Sequence, residues 1–149
     1  MADFMEQALA EAEAAAARGE VPVGAVIVQD GEVLAAAGNR TEELNDPTAH
    51  AELLVIRAAC AAMGAPRLPG ADLYVTLEPC AMCAQAIAYA RLRRLYYGAP
   101  DPKGGGVAHG ARVFSHPTCH HTPEIYDGID GERAAALLRA FFGGLREQD

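Results

Sequence analysis

Basic residues are scarce in this chain: 12 Lys and Arg stand against 20 Asp and Glu, for a net charge of −8. That balance argues against a general nucleic-acid binder, because such affinity comes largely from neutralising phosphates. Any contact with a polyanion must use a local basic patch that works against the field of the whole chain. Long apolar runs are also missing, and none approaches the roughly twenty residues needed to span a bilayer. The alanine-rich start carries Asp3, Glu6, Glu11 and Glu13, where a signal peptide would be basic. A cytoplasmic protein without a membrane partner is expected. Cysteines number only four and lack the spacing of a disulfide framework. There is no internal repeat, and no low-complexity segment beyond the first alanines.

What the chain does have is 51% apolar residues over 149 positions, enough for one proper core and too few positions for two ordinary domains. One domain over 1–149 is expected. Residues 4–18 read as an amphipathic helix closed by Gly19. Residues 21–29 and 32–37 are strand-like around Asp30-Gly31, a strong hairpin signal. Asp46-Pro47-Thr48 gives a turn and an N-cap for a helix running to about Met63. Residues 71–77, 80–91 and 93–98 read as strand, helix and strand, a β-α-β unit with two parallel strands. Residues 99–110, with three consecutive glycines, two prolines and Lys103, read as a mobile surface loop. A short edge strand over 123–128 and a final helix over 131–145 complete the pattern. A hairpin followed by β-α-β predicts an α/β fold with a mixed sheet covered on both faces.

Two motifs carry chemistry: His50-Ala51-Glu52 and Pro79-Cys80-Ala81-Met82-Cys83. Cys80 and Cys83 lie on one face of a helix's first turn, where the dipole favours thiolate. With His50 they offer one imidazole and two thiolates, leaving a fourth tetrahedral position open, as a catalytic zinc requires. Glu52 is placed to carry the proton of an attacking water. Its plainer role is a first-turn acid that complements the helix dipole, and both can hold. Cys60, in the apolar run 55–63, reads as a buried inert thiol. Cys119, crowded by His116, His120 and His121, lacks a second pair to complete a tetrahedral metal set and reads as part of a polar loop near the site's mouth.

The spacing H-x-E followed by P-C-x-x-C is the signature of zinc nucleobase deaminases. The chain resembles the bacterial tRNA adenosine deaminases, which convert wobble adenosine 34 to inosine, and does so along nearly its whole length. Segments 20–28, 38–40, 46–52 and 73–83 and the pair Phe141-Phe142 carry the likeness. The resemblance implies a three-layer α/β/α cytidine-deaminase-like sandwich with a five-stranded sheet, one Zn2+ per subunit held by His50, Cys80 and Cys83, and Glu52 as catalytic acid and base. It implies a homodimer acting on a tRNA anticodon stem-loop, with no role for DNA. It also implies that Asn39 hydrogen-bonds the base, that residues 26–28, Val26 among them, and Ala49 line the pocket, and that the backbone near Leu77 and Glu78 fixes the attacking water or the base edge. Asp101 and Lys103 would meet nucleotides flanking the target, and Phe142 a splayed one. Lys103 together with the helix end at Arg91, Arg93 and Arg94 is the expected basic patch. The competing expectations are a deaminase of a free base such as guanine or cytosine, which suits the acidic charge, and a non-catalytic zinc-stabilised RNA-binding module, which leaves Glu52 without a role.

Overall fold

Asp30 and Gly31 both adopt positive φ, 51° and 78°, the conformation a tight hairpin turn demands. They join β1 (Gly24–Gln29) to β2 (Glu32–Gly38). In the computed structural model, which describes residues 3–148, this hairpin opens a five-stranded sheet of order β2-β1-β3-β4-β5. Strand β1 runs antiparallel to both β2 and β3 (Asp72–Leu77). Strands β3, β4 (Arg94–Ala99) and β5 (Glu124–Tyr126) are parallel to one another. The mixed sheet and its short edge strand are those expected.

Successive residues of a strand face opposite ways, so the sheet builds two apolar layers. On one face Ala25, Ile27, Leu73, Val75, Leu95 and Tyr97 pack with Val55 and Ala59 of α3 (Ala51–Met63) and Ile87 of α4 (Ala81–Tyr89). On the other, Tyr74, Tyr96 and Ala99 pack with Met5, Ala8 and Leu9 of α1 (Phe4–Ala17) and Ala134 of α5 (Gly131–Gln148). Helix α1 approaches the sheet closely because Gly24 and Gly38 are cross-strand partners beneath it. A side chain on Gly24 would overlap the Ala8 carbonyl, and a Cβ on Gly38 would lie 2.7 Å from that of Glu11.

The structure corrects three boundaries. Strand β1 begins at Gly24 and not at Val21, because Pro22 has no N–H to give a ladder and the Val23 N–H turns back to Val21 O at 2.8 Å. A short helix, α2 (Thr41–Leu44), follows β2. The buried carboxylate of Glu20 accepts from the N–H groups of Glu42 and Glu43 at 3.1 and 2.8 Å, satisfying donors that no local side chain reaches. Asp46 does not cap α3. Its Oδ1 accepts from the Thr48 N–H and hydroxyl, and His50 occupies the N-cap position instead.

Candidate metal centre and the cavity around it

His50 is the N-cap of α3 and Cys80 the N-cap of α4, both in extended backbone conformation, so the two helix starts converge on one point. His50 Nδ1 lies 3.6 Å from each of the sulfurs of Cys80 and Cys83. A tetrahedral site with zinc–nitrogen near 2.0 Å and zinc–sulfur near 2.3 Å has an N···S edge of about 3.5 Å. The three donors thus stand at the separation a zinc ion requires. They are also the one group of three His, Cys, Asp or Glu ligand atoms gathered within 4.8 Å among the described residues. Cys80 is drawn down to about 4, chiefly by the Cys83 thiol donating to it, with His50 helping and burial opposing. Cys83 is pushed up by that same contact and by burial. The pair therefore shares a proton that a metal would displace.

Glu52 follows on the first turn of α3 and is 4% exposed. Burial pushes its carboxyl up to about 7. Its Oε1 is the single buried side-chain oxygen or nitrogen without a hydrogen-bond partner among the described residues. A buried acceptor left unpaired beside three ligand atoms marks a place where a polar group is missing.

His50, Glu52 and Cys80 line a cavity of about 400 Å³. Asn39 and Thr41 form one wall, Asp101 and Gly104 another, and Val21, Val23 and Leu77 supply the apolar surface. Asn39 is fixed by its own side chain: Oδ1 accepts from the Ala51 N–H at 2.8 Å. Because the N-cap residue His50 makes no side-chain cap of its own, Asn39 caps α3 from a different element. Its amide NH2 remains for the cavity. A second cavity of about 460 Å³ shares Val21, Leu77, Asp101 and Gly104 with the first and adds Lys103, Leu138 and Phe142.

His50, Glu52, Cys80, Cys83, Asn39 and Asp101 thus come together as expected, with Lys103 and Phe142 alongside. Val26 and Ala49 do not line the cavity: both are wholly buried and have no surface to offer. Val26 pairs with Tyr74 on the α1 face of the sheet, away from α3 and α4. Val21, Val23 and Thr41, which sequence reasoning passed over, take their place; the unpaired stretch around Pro22 was the available signal.

The basic patch is corrected too. Arg93 pairs with Asp72, through bonds of 3.0 and 2.9 Å, and Arg94 with Glu124 at 3.3 Å. Both lie where β4 begins, whereas the cavity sits where β3 and β4 end. His121 likewise reaches the Leu92 carbonyl at that far end, and Cys119 donates to His121 O, so these two residues are not at the mouth. Cys60 is half-buried.

Glu78 is the other group that pattern alone did not explain. Burial opposes its ionisation, but hydrogen bonds from Asp101, His109 and Val107 outweigh this and hold its carboxyl below the usual range. The loop expected to be mobile is wrapped around it.

An open-sided His/Cys/Cys cluster beside a buried glutamate, on this mixed sheet, defines the cytidine-deaminase-like class of hydrolase. The profile of the MafB19-like deaminase family matches residues 1–142. A protein of Agrobacterium fabrum named tRNA-specific adenosine deaminase is 64% identical over 146 residues, 98% of this chain and 96% of its own length. A solved structure from a study of A-to-I editing by tRNA:A34 deaminases at the wobble position superposes with a TM-score of 0.89 at 65% identity, covering 91% of this chain and 98% of that one. A guanine deaminase from Bacillus subtilis is more distant, with a TM-score of 0.66 at 32% identity over 97% of this chain and 92% of that one. The chain belongs to the bacterial tRNA-specific adenosine deaminase family.

Proposed function

We propose that this protein is a zinc-dependent hydrolase that deaminates adenosine to inosine at position 34 of tRNA. The observation that carries the reading is the orphaned Glu52 Oε1, buried beside the His50, Cys80 and Cys83 donors at the foot of a cavity. The names borne by its relatives supply the substrate. These three residues would hold zinc, whose Lewis acidity would lower the pKa of a water. Glu52 takes one proton from the attacking water as its oxygen bonds to C6 of the adenine, and passes it to the ring nitrogen. The same carboxyl then takes the proton left on that oxygen and delivers it to the amino group, so that the C6 carbonyl forms, the C6–N bond breaks and ammonia leaves. Asn39, its Oδ1 engaged by α3, donates its NH2 to an acceptor on the base edge. Val21, Val23 and Leu77 exclude bulk water from the ring.

The outer cavity, with Lys103 and Phe142, gives flanking nucleotides a place that a free base would leave empty. We read the whole chain, 1–149, as one deaminase domain that acts as a cytoplasmic homodimer; the family resemblance supports the pairing, and no helix of the described residues is long and apolar enough to cross a membrane. The likeness to a guanine deaminase makes a free purine the alternative to be tested. Zinc-loaded protein is incubated with an A34 anticodon stem-loop and separately with free guanine, cytosine and adenine, and ammonia is measured. Release from the stem-loop is expected. Release from guanine or cytosine alone would overturn the reading.

A further inference from the structure

Glu78 stands between the end of β3 and the start of α4, with its side chain fully buried. A buried carboxylate is tolerated only when its oxygens are satisfied. Here Oε1 accepts from the Asp101 N–H at 3.0 Å and lies 2.7 Å from His109 Nδ1. Oε2 accepts from the N–H groups of Val107, Ala108 and His109 at 3.1, 3.0 and 3.1 Å. Every one of these donors belongs to residues 101–109. The glycines let the backbone close around the carboxylate: a side chain on Gly105 would overlap Glu78 Oε2, and one on Gly106 would lie 2.5 Å from the Ala81 nitrogen. The Gly106 N–H also bonds to Pro79 O at 2.8 Å. The same loop presents Asp101 and Gly104 to both cavities and Lys103 to the outer one.

We infer that Glu78 is a positioning residue whose carboxylate shapes the 101–109 loop into the wall that seats the substrate beside the reacting base, and ties that wall to the helix start bearing Cys80 and Cys83. The inference rests on the deaminase reading for the substrate, and on geometry alone for the loop. A carboxylate is required because five donors converge on two oxygens. An amide at this position keeps one acceptor oxygen and turns its NH2 toward at least two of those donors.

The test compares zinc-loaded wild type with Glu78→Gln, which is isosteric, and Gly105→Ala, which crowds the same carboxylate from the loop side. Zinc per chain, tryptic cleavage after Lys103 followed by mass spectrometry, and kcat and KM on the A34 stem-loop are measured. In both variants zinc is expected to be unchanged and cleavage after Lys103 to quicken at least about tenfold, with KM rising about tenfold, equivalent to about 1.4 kcal/mol, and kcat staying within about threefold. Where Glu78→Gln does not fold, Gly105→Ala decides. Wild-type cleavage rates would overturn the anchoring role, and a loss of kcat at unchanged KM would move Glu78 from the loop to the reaction itself. A stem-loop that no protein turns over, wild type included, sinks the substrate reading while the cleavage rates still decide the loop.

Discussion

Asn39 is the residue at which folding and chemistry can be separated by a single atom. Its Oδ1 pairs with the Ala51 N–H inside a buried site, while its NH2 is the group we propose contacts the base. Asn39→Ala removes both. Losing a helix cap costs about 0.5–2 kcal/mol, and stranding a buried N–H costs about 1–3 kcal/mol, so a loss of about 1–2 kcal/mol is expected. For a chain of this size that lowers Tm by roughly 3–8 °C. Asn39→Asp keeps the acceptor, and a carboxylate at a helix start is favoured by the dipole, so Tm is expected to stay within about 2 °C of wild type. Activity divides differently. The aspartate has no NH2 and offers an acceptor where the base also presents one, and a well-placed base-edge contact is worth about 1–3 kcal/mol, or roughly 5- to 150-fold in kcat/KM. The assay pairs thermal unfolding of the zinc-loaded proteins with initial rates on the stem-loop. Near wild-type kcat/KM in a stable Asn39→Asp would refute the use of the amide, and an unchanged Tm in Asn39→Ala would refute the cap.

Glu52→Ala is expected to retain one zinc per chain and to lose turnover by about a thousandfold or more, because the ligands remain while the proton carrier is gone; a near wild-type rate would remove Glu52 from the chemistry. Cys83→Ala should lose metal and activity together, and stoichiometric zinc in the purified variant would strike Cys83 from the ligand set. Gly24→Val should destabilise the fold by about 3 kcal/mol or more through its overlap with α1, and normal unfolding in that variant would disprove the close approach. Lys103→Glu should weaken turnover of the stem-loop and flatten its log–log dependence on salt by roughly 0.7 per phosphate contact removed, whereas Arg94→Ala should change neither. Equal effects of the two would place the RNA at the wrong end of the sheet.

The candidate metal centre was legible because each half of it is local. Two residues fix His50 against Glu52 and three fix Cys80 against Cys83, and helix starts repeat the same geometry wherever they occur. The hairpin was legible for the same reason, since Asp30-Gly31 specifies its turn. What escaped was set by partners distant in sequence. Glu20 looks like an exposed acid until α2 folds onto it, and Glu78 looks incidental until the 101–109 loop closes around it. Val26 was misplaced because a strand's alternation shows that neighbours face opposite ways without showing which face carries α3 and α4. The three glycines at 104–106 were taken for freedom. In the structure Gly105 and Gly106 mark close contact, the other use of a missing Cβ.

Net charge was the strongest argument against an RNA substrate, and the fold shows why it transfers poorly to the site. Glu20, Glu52, Asp72 and Glu78 are buried, two of them accepting backbone N–H groups, so part of the acidity serves the interior and not the surface. Other acids are tied to arginines away from the cavity, Glu6 to Arg133 and Glu124 to Arg94, and the buried Asp72 is itself paired with Arg93. These pairs neutralise one another where no substrate is expected. The residues lining the outer cavity include one cation, Lys103, and one acid, Asp101, whose Oδ1 already accepts from the Gly104 N–H. A groove with so little free charge cannot hold RNA by counting phosphates. On the proposed reading, its discrimination comes from the base buried over Glu52 and from a neighbouring nucleotide against Phe142, contacts that a long-range repulsive field weakens far less than it weakens non-specific binding.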